Sequence, residues 1–143
     1  MKKLITLLFL LPLFCFAQKE KKDKWIYVCQ FMAGSADGVN QSISHHELGL
    51  GYRFWDYTDS WKNKYKDFNN GDKRAAFFGS KSVFVGFTDG YHLTRLLDRT
   101  FTTGSLAFAL SEKNNWRQIV KKVIISAVVN RAGFLITYNI ICK

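Results

Sequence analysis

The amino-acid sequence predicts a single all-α domain, a compact bundle of about four helices with one long aromatic-rich loop. Apolar residues recur at three- and four-residue steps over residues 25–52, 82–101 and 116–141, as in helices with a buried face. Residues 53–81 lack a clear period and carry many aromatic and charged side chains. The chain length suits one domain with a real core.

Residues 1–17 are predicted to be a cleavable signal peptide. They have a basic start, an apolar run over residues 4–14, and the small residues Cys15 and Ala17 just before the expected cut. The run is shorter than the roughly 20 residues that span a bilayer, so an uncleaved anchor is the weaker alternative. A lipid-modified Cys15 is disfavoured because the bulky Phe14 precedes it. We therefore expect an exported protein of the periplasm or cell envelope.

Residues 18–24 are predicted to be a charged, flexible leader, with helical order beginning at Trp25. The first helical stretch, residues 25–52, contains several glycines, which lower helix propensity. Small residues at helical spacing also let two helices approach closely. The stretch is therefore expected to pack tightly against another helix.

The loop at residues 53–81 is expected to be ordered and held in place by its aromatic side chains. These are Trp55, Tyr57, Trp61 and Tyr65. The sequence Asn69-Asn70-Gly71-Asp72 is a turn signal within the loop. Loops of this length without regular structure are uncommon in small domains and are often functional.

The second half of the chain is predicted to return to helix at residues 82–101, and residues 105–111 either extend that helix or form a short one. The last helix is predicted at residues 116–141, and its middle is apolar nearly all round. That pattern favours a central buried helix and leaves a membrane-associated helix as the alternative. A true membrane span is disfavoured because Arg131 would need a partner or water within the bilayer.

The chain is strongly basic, with a formal net charge of +10. Export makes nucleic acid an unexpected partner, and the expected partners are anionic lipid, lipopolysaccharide or another envelope component. Trp61, Lys62 and Lys64 are candidate ligand-binding residues, because aromatic faces can stack on a ligand while lysines pair with its charge. A solvated loop with aromatic anchors is the plainer interpretation.

Two short segments of the chain share the frame Gly-x-small-Asp-Gly-x-Asn/His, at residues 34–40 and 86–92. Residues three apart lie on one face of a helix. Asp37 and Asn40 would therefore share one face, and Asp89 and His92 would share another. If the two helices packed through their glycines, the two polar pairs would meet. The frame therefore marks these residues as a candidate site.

Three interpretations of this candidate site remain open. Asp37, Asp89 and His92 supply oxygen and imidazole ligands for a divalent metal, with Asn40 and His45 as further ligand-binding residues. In a catalytic site that includes Asp37, Asp89 would orient His92 as a general base. The plainest interpretation is a structural polar network between two helices, because a buried carboxylate is costly unless it is paired.

Several classes of site are absent from the sequence. There is no GxSxG elbow, P-loop or SxxK motif, and His46-Glu47 lacks the spacing of the HExxH zinc proteases. No Cys/His spacing for a structural zinc site occurs. The sequence therefore names no reaction.

Two cysteines, Cys29 and Cys142, remain after removal of the signal peptide. They lie near the two ends of the mature chain, and an oxidising compartment would allow a disulfide between them. Two separate buried thiols are the alternative.

Four short motifs are spread over the chain. They are Ala33-Gly34-x-x-Asp37-Gly38-x-Asn40, Ser60-Trp61-Lys62-Asn63-Lys64-Tyr65, Thr88-Asp89-Gly90-Tyr91-His92-Leu93 and Gly133-Phe134-x-x-Thr137-Tyr138. Together they resemble an uncharacterised family of small exported Bacteroidota proteins, over most of the mature chain. The resemblance implies an envelope location and no established activity.

These observations lead us to expect a non-enzymatic periplasmic or membrane-associated protein with a binding or structural role. The supports are the basic charge, the apolar last helix and the aromatic and lysine side chains of residues 60–66. The alternative is an envelope hydrolase, with or without a metal, that uses Asp89 and His92 together with Asp37.

Overall fold

The structure, a computed structural model, describes residues 22–46, 53–111 and 113–142. Three α-helices lie within these ranges: α1 (Lys22–His46), α2 (Gly90–Leu110) and α3 (Trp116–Ile141). The mostly helical prediction is confirmed. The predicted signal peptide, the start of the leader and the end of the first helical stretch, residues 1–21 and 47–52, lie outside the described residues.

Helix α1 forms the middle of the molecule, because both α2 and α3 pack against it. Its buried positions are mostly small and include Ala33, Gly34, Ala36, Gly38 and Ser42. Small side chains let two neighbouring helices approach the same helix closely. The prediction that the last helix is the central one is wrong, because the small residues that permit close packing on two sides are in α1.

Helices α1 and α2 run antiparallel and are joined by polar bonds at two levels. Gln30 Nε2 donates a hydrogen bond to Ser105 Oγ at 3.1 Å, and Asn40 Nδ2 donates one to Thr94 Oγ1 at 2.8 Å. An apolar cluster also packs between the two helices. It consists of Cys29, Ala33 and Phe101, with Met32, Leu97 and Phe108 around them. The register of the two helices is thereby fixed.

Helices α1 and α3 run parallel, with contacts between residues about 100 positions apart. Asn130 Nδ2 donates to the backbone oxygen of Gln30 at 3.2 Å. At the other end, Cys142 Sγ donates to Ser42 Oγ at 3.2 Å. Gln30 therefore links the middle helix to both of its neighbours.

Glycines form the closest contact between α1 and α3. A Cβ atom on Gly38 would lie 2.9 Å from the backbone oxygen of Phe134, and one on Gly34 or Gly133 would come closer still to the facing backbone. Close packing through the glycines of residues 34–38 was expected, but their partner is α3 and not the segment at residues 86–90. Residues 86–89 precede α2, so they do not form the second helix that this expectation required.

Helix α2 begins later than predicted. Val85–Phe87 is a single 3-10 turn, and Asp89 is the N-cap of α2 with an extended backbone. Aspartate is favoured at an N-cap because its side chain accepts from the first backbone N–H groups. The helix then continues to Leu110, so the segment at residues 105–111 extends it.

The predicted loop at residues 53–81 contains a small antiparallel hairpin of β1 (Tyr65–Asp67) and β2 (Asp72–Ala75). Its turn is the one that the sequence signalled. Gly71 has a φ of 81°, and its N–H donates to the backbone oxygen of Phe68 at 3.1 Å. Glycine suits this turn because it adopts positive φ without a steric penalty.

Helix α1 starts at Lys22, three residues before the predicted start at Trp25. Asp23 in its first turn forms an ion pair with Lys122 of α3, which holds this end against its neighbour. Within the described ranges, no helix is both long and apolar enough to cross a membrane.

Candidate functional site

A polar pocket of about 520 Å³ lies between α1, α2 and the segment that follows α1. Its lining combines two carboxylates, a guanidinium, an imidazole, two amides and two phenols. The residues are Asp37, Asn40, Gln41, Ser44, His45, Tyr57, Tyr91, Thr94, Arg95 and Asp98. Clefts with convergent polar groups of this kind are the usual location of ligand sites.

Two carboxylates, Asp37 of α1 and Asp98 of α2, share the pocket. The antiparallel register brings them together, because each lies about one turn from the hydrogen-bonded pair Asn40 and Thr94, in opposite sequence directions. Burial raises the pKa of Asp98 above its ordinary value, and the charge of Asp37 raises this pKa further.

Other neighbours of Asp98 act in the opposite direction. A hydrogen bond from Thr102 and the charges of Arg99 and Arg95 lower the pKa of Asp98, but the rise is larger. The carboxyl group therefore lies in surroundings that disfavour its ionised form.

Arg95 is held by an aromatic neighbour at the edge of the pocket. Its Nη1 donates to Tyr91 Oη at 2.6 Å, and its guanidinium lies 5.5 Å from the Tyr91 ring centroid. The ring of Tyr57 meets that of Tyr91 edge-on, with centroids 5.5 Å apart. These contacts give the pocket one aromatic wall.

Asn40 and His45, both predicted as ligand-binding residues, lie at this pocket. Asn40 is buried, and its side-chain amide donates to Tyr91 O at 2.9 Å and to Thr94 Oγ1 at 2.8 Å. Both amide hydrogens are thus used between helices, so Asn40 serves chiefly as a cross-link. His45 is exposed at the rim.

Asp89 and His92 form a compact pair at the start of α2. Asp89 is 1 % exposed, and its Oδ1 accepts from the backbone N–H of His92 at 2.8 Å. His92 Nδ1 lies 2.8 Å from Asp89 Oδ2. The carboxylate therefore caps the helix and orients the imidazole at once, which gives its burial a structural explanation.

The three residues predicted to bind a metal or act together in catalysis are not brought together. Asp37 faces the pocket with Asp98, whereas Asp89 and His92 are at the helix start. Across residues 22–46, 53–111 and 113–142, no group of three His, Cys, Asp or Glu side chains is arranged to hold a metal. The antiparallel register places Asp37 beside Asp98 and away from Asp89, although Asn40 of the first copy still contacts Tyr91 of the second.

Trp61, Lys62 and Lys64 belong to an aromatic cluster beside the hairpin. The Trp61 ring packs edge-on against Phe68, with centroids 4.8 Å apart, and its Nε1 donates to the backbone of Thr58. Lys62 forms an ion pair with Asp59. These bonds favour the anchor interpretation for Trp61 and Lys62.

Lysines surround the aromatic rings of this cluster. Lys64 and Lys81 each place Nζ 5.3 Å from the Tyr65 ring centroid, and Lys73 places its Nζ 5.6 Å from that of Phe68. Cations over ring faces are modestly stabilising at exposed sites. The hairpin therefore presents a basic surface on an aromatic base.

A second surface stands out on α3, along residues 116–131, where no residue of the helix is buried. We call it the outer face of α3. It consists of Trp116, Arg117, Val120, Lys121, Val123, Ile124, Val128 and Arg131, all of them exposed. Val123, Ile124 and Val128 expose 61 %, 59 % and 65 % of their surface.

The outer face of α3 has two further properties. A groove of about 440 Å³ lies on it, between Trp116 and Ile125. The sequence from residue 113 to the end contains no Asp or Glu, so the cations of this face have no acidic neighbour on their own helix. The surface is both apolar and basic.

Of the two alternatives for Cys29 and Cys142, the structure contradicts the disulfide, because both cysteines are thiols. Cys29 is buried between α1 and α2, whereas Cys142 contacts Ser42 at the other end of α1. At a rise of about 1.5 Å per residue, Ser42 is roughly 20 Å further along the helix than Cys29. Bonded cysteines have Cα atoms about 4.4–6.8 Å apart.

The sequence did not identify Asp98, Arg95, Tyr57 or Tyr91 as parts of one site. Tyr57 was interpreted only as an anchor of the loop. The sequence signal for this site was that Asp98 lies one helical turn after Thr94. That spacing places Asp98 beside Asp37 only if the two helices are known to be antiparallel, with Thr94 facing Asn40.

The four motifs that carry the family resemblance lie in contact with one another. Asn63 Nδ2 donates to the backbone oxygen of Thr88 at 3.1 Å, which joins the second motif to the third. Asn40 joins the first motif to the third through Tyr91, and Gly38 meets the fourth at Phe134. Comparison with known protein families, curated proteins and solved structures finds no match for this chain.

Proposed function

We propose that this is an exported envelope protein, without enzymatic activity, that attaches to an anionic lipid surface through the outer face of α3. The observation that carries the proposal is the combination, on one exposed helix face, of large apolar side chains and three cations. Helices that lie in a membrane interface have this character, with an apolar face and basic residues beside it.

The apolar residues of this face supply the hydrophobic part of the attachment. Full removal of a Val, Ile or similar side chain from water contributes about 1.5–3 kcal/mol. Val123, Ile124 and Val128 each expose more than half of their surface, and Trp116 exposes 69 %. Partial insertion of these side chains among lipid chains recovers a share of that free energy.

The basic residues select an anionic surface. Arg117, Lys121 and Arg131 lie on the same face as the apolar residues, and each contributes about 1 kcal/mol near an anionic bilayer. A second copy of the chain is a poorer occupant, because packing two such faces together would bring like charges close. Anionic headgroups complement the cations, and acyl chains cover the apolar side chains.

The test is co-sedimentation of the chain from residue 18 with lipid vesicles. We expect binding to vesicles of phosphatidylglycerol and much weaker binding to vesicles of phosphatidylcholine. Replacing both Arg117 and Lys121 with Gln should weaken binding to the anionic vesicles about thirtyfold, which corresponds to about 2 kcal/mol. The Val120→Ser, Ile124→Ser double variant should weaken binding about tenfold or more, because the insertion of apolar groups is lost.

Matched controls lie on other helices. Leu106→Ser with Leu110→Ser removes two exposed apolar side chains at the same spacing from α2, and Lys24→Gln with Arg99→Gln removes two exposed charges. We expect both control pairs to bind vesicles nearly as well as the parent chain. Equal losses in the controls, equal binding to both lipids, or a dimer in solution that the α3 variants dissociate would each contradict the proposal.

The export part of the proposal rests on the sequence of residues 1–17 and on the resemblance to exported proteins. Protein recovered from the envelope fraction should begin at Gln18. An intact Met1 in that fraction would oppose signal cleavage.

The hydrolase alternative depends on Asp89 and His92, and on Asp37 as a third group. The capping bonds give Asp89 a structural role, and Asp37 lies in the separate pocket with Asp98. No observation therefore favours the hydrolase over the lipid-binding role.

A further inference from the structure

The pocket between α1 and α2 lies apart from the outer face of α3 and is not used by the proposed attachment. We propose that this pocket binds a small organic cation whose ammonium group is held by the carboxylates of Asp37 and Asp98. The inference does not depend on lipid binding, because no residue of the outer face lines the pocket.

The charges that face the pocket favour a cation. Asp37 and Asp98 are both half-buried there, and neither forms an ion pair with any residue in the described ranges. Two like charges that share a partly buried cavity repel each other more strongly than in water. A bound ammonium group would offset that repulsion and donate up to three hydrogen bonds.

The surroundings of Asp98 in the pocket disfavour its charged form. Burial and the proximity of Asp37 both raise its pKa. A cation placed between the carboxylates would act in the opposite sense and restore the ionised form. Binding of an amine and ionisation of this carboxyl are therefore coupled, and affinity should fall as the pH is lowered.

The positively charged and titratable neighbours do not form ion pairs with the two carboxylates within the described ranges. Arg95 is engaged by the Tyr91 hydroxyl at 2.6 Å, so it lies against the aromatic wall rather than in an ion pair with the carboxylates. Arg99 acts on Asp98 from the same helix, but its effect is smaller than that of Asp37. His45 is exposed at the rim of the pocket.

The remaining lining groups suit a ligand that also carries hydroxyl groups. The side chains of Gln41 and Ser44 provide donors and acceptors. The rings of Tyr57 and Tyr91 offer apolar contact, and tyrosine faces also attract cations. A volume of about 520 Å³ is within the range of small-molecule sites.

The test uses two amines, each beside its neutral counterpart: glucosamine with glucose, and benzylamine with benzyl alcohol. Chemical shifts of the tyrosine ring and backbone amide signals would be followed in an NMR titration of the chain from residue 18. We expect saturable shifts of residues around the pocket with at least one amine, at a Kd of about 1 mM or tighter, and none with the neutral molecules. Asp98→Asn should weaken binding about tenfold, and Asp37→Asn should do the same.

A control separates binding in the pocket from general attraction to acidic groups. Asp67 is an exposed carboxylate on the hairpin, outside the pocket, so Asp67→Asn should leave the amine affinity unchanged. Spectra of each free variant would show whether its fold is kept. The proposal is overturned if neither amine binds, if the neutral partners bind equally well, if calcium chloride alone gives the same shifts, or if Asp67→Asn weakens binding as much as Asp98→Asn.

Discussion

The carboxylate of Asp89 keeps partners for its oxygens although it is 1 % exposed. The backbone N–H of His92 donates to it at 2.8 Å, and the imidazole of the same residue lies beside it at 2.8 Å. A buried polar group is stable when its lost bonds to water are replaced in this way. At the scale of the residue, capping of α2 therefore explains why Asp89 is buried, although the sequence made it a candidate catalytic residue.

Removal of this cap should destabilise the fold. We expect Asp89→Ala to lower the free energy of unfolding by about 1–2 kcal/mol, because the first turn of α2 loses its acceptor and the His92 ring loses its neighbour. Asp89→Asn is the matched control and should lose much less, since asparagine caps helices about as well as aspartate. Urea unfolding of both variants measures the difference, and an Asp89→Ala chain as stable as the parent would contradict the capping role.

Asp98 should make stability depend on pH in an unusual direction for a carboxyl group. Its folded-state pKa is raised, so its ionisation costs stability at neutral pH, and the cost disappears as the pH falls towards the ordinary value of 3.8. Asp98→Asn should therefore raise the Tm at pH 7, and its advantage over the parent should shrink on acidification. Thermal unfolding between pH 7 and pH 4 measures this effect.

Asp72 provides the control for this prediction. Its hydrogen bonds with Arg74 lower its pKa to about 2. Its contribution is therefore present at neutral pH and is lost as the pH falls from the ordinary value of 3.8 towards about 2. Asp72→Asn should not raise the Tm at pH 7. A rise in both variants would indicate a general effect of net charge instead.

At the scale of the helices, α1 is built to be approached from two sides. Gln30 accepts from Asn130 of α3 through its backbone oxygen and donates to Ser105 of α2 through its side chain. Gly34 and Gly38 bring the α3 backbone against α1 about one and two turns further on. The small residues that reduce the helix propensity of this segment are the ones that make its packing possible.

A methyl group at the α1–α3 contact should therefore be costly. A Cβ on Gly133 would lie against the backbone oxygen of Phe31 and 3.2 Å from Ser35 N. Because neither helix backbone can yield locally, we expect Gly133→Ala to destabilise the fold by about 1–3 kcal/mol. The change in the midpoint of urea unfolding measures the loss.

Gly104 is the matched control on α2. A Cβ there would meet only Cys29 Sγ, at 3.9 Å, which is an ordinary contact distance. Gly104→Ala should stabilise the chain by up to about 1 kcal/mol, because alanine favours the helix. If both alanines had the same effect, close approach at Gly133 would not be the cause.

At the scale of the whole molecule, the order α2–α1–α3 leaves the outer face of α3 exposed. The buried apolar residues of the described ranges are few, whereas many large apolar side chains remain exposed. On α3, those of the outer face lie beside Arg117, Lys121 and Arg131. Apolar surface of this kind usually marks a site of association.

The basic character of the whole chain implies that vesicle binding depends on salt. With a formal net charge of +10 for the full sequence, attraction to anionic lipid should weaken as ionic strength rises. We expect binding to phosphatidylglycerol vesicles to fall steeply between low and physiological salt, with a residual part from apolar insertion. Binding that salt leaves unchanged would show that the cations of α3 are not involved.

Much of the fold could be predicted from local pattern. The three- and four-residue spacing of apolar positions indicated the helical stretches, and Asn69–Asp72 indicated the turn of the hairpin. The start of α2 was placed too early, because Val83, Val85 and Phe87 continue the apolar pattern into a 3-10 turn, while Asp89 ends it as an N-cap. Competition between side-chain capping and helix continuation is a local effect that periodicity does not register.

The sequence by itself determined the mostly helical class, the basic charge and the residues whose side chains could bind a ligand or act in catalysis. These properties follow from composition and short-range spacing. Only the tertiary structure decided which of those residues meet. The antiparallel packing of α2 on α1 placed Asp37 with Asp98 instead of Asp89, and the parallel packing of α3 kept Cys142 far from Cys29. Helix direction and register depend on contacts between residues 50 to 100 positions apart, and no local pattern encodes them.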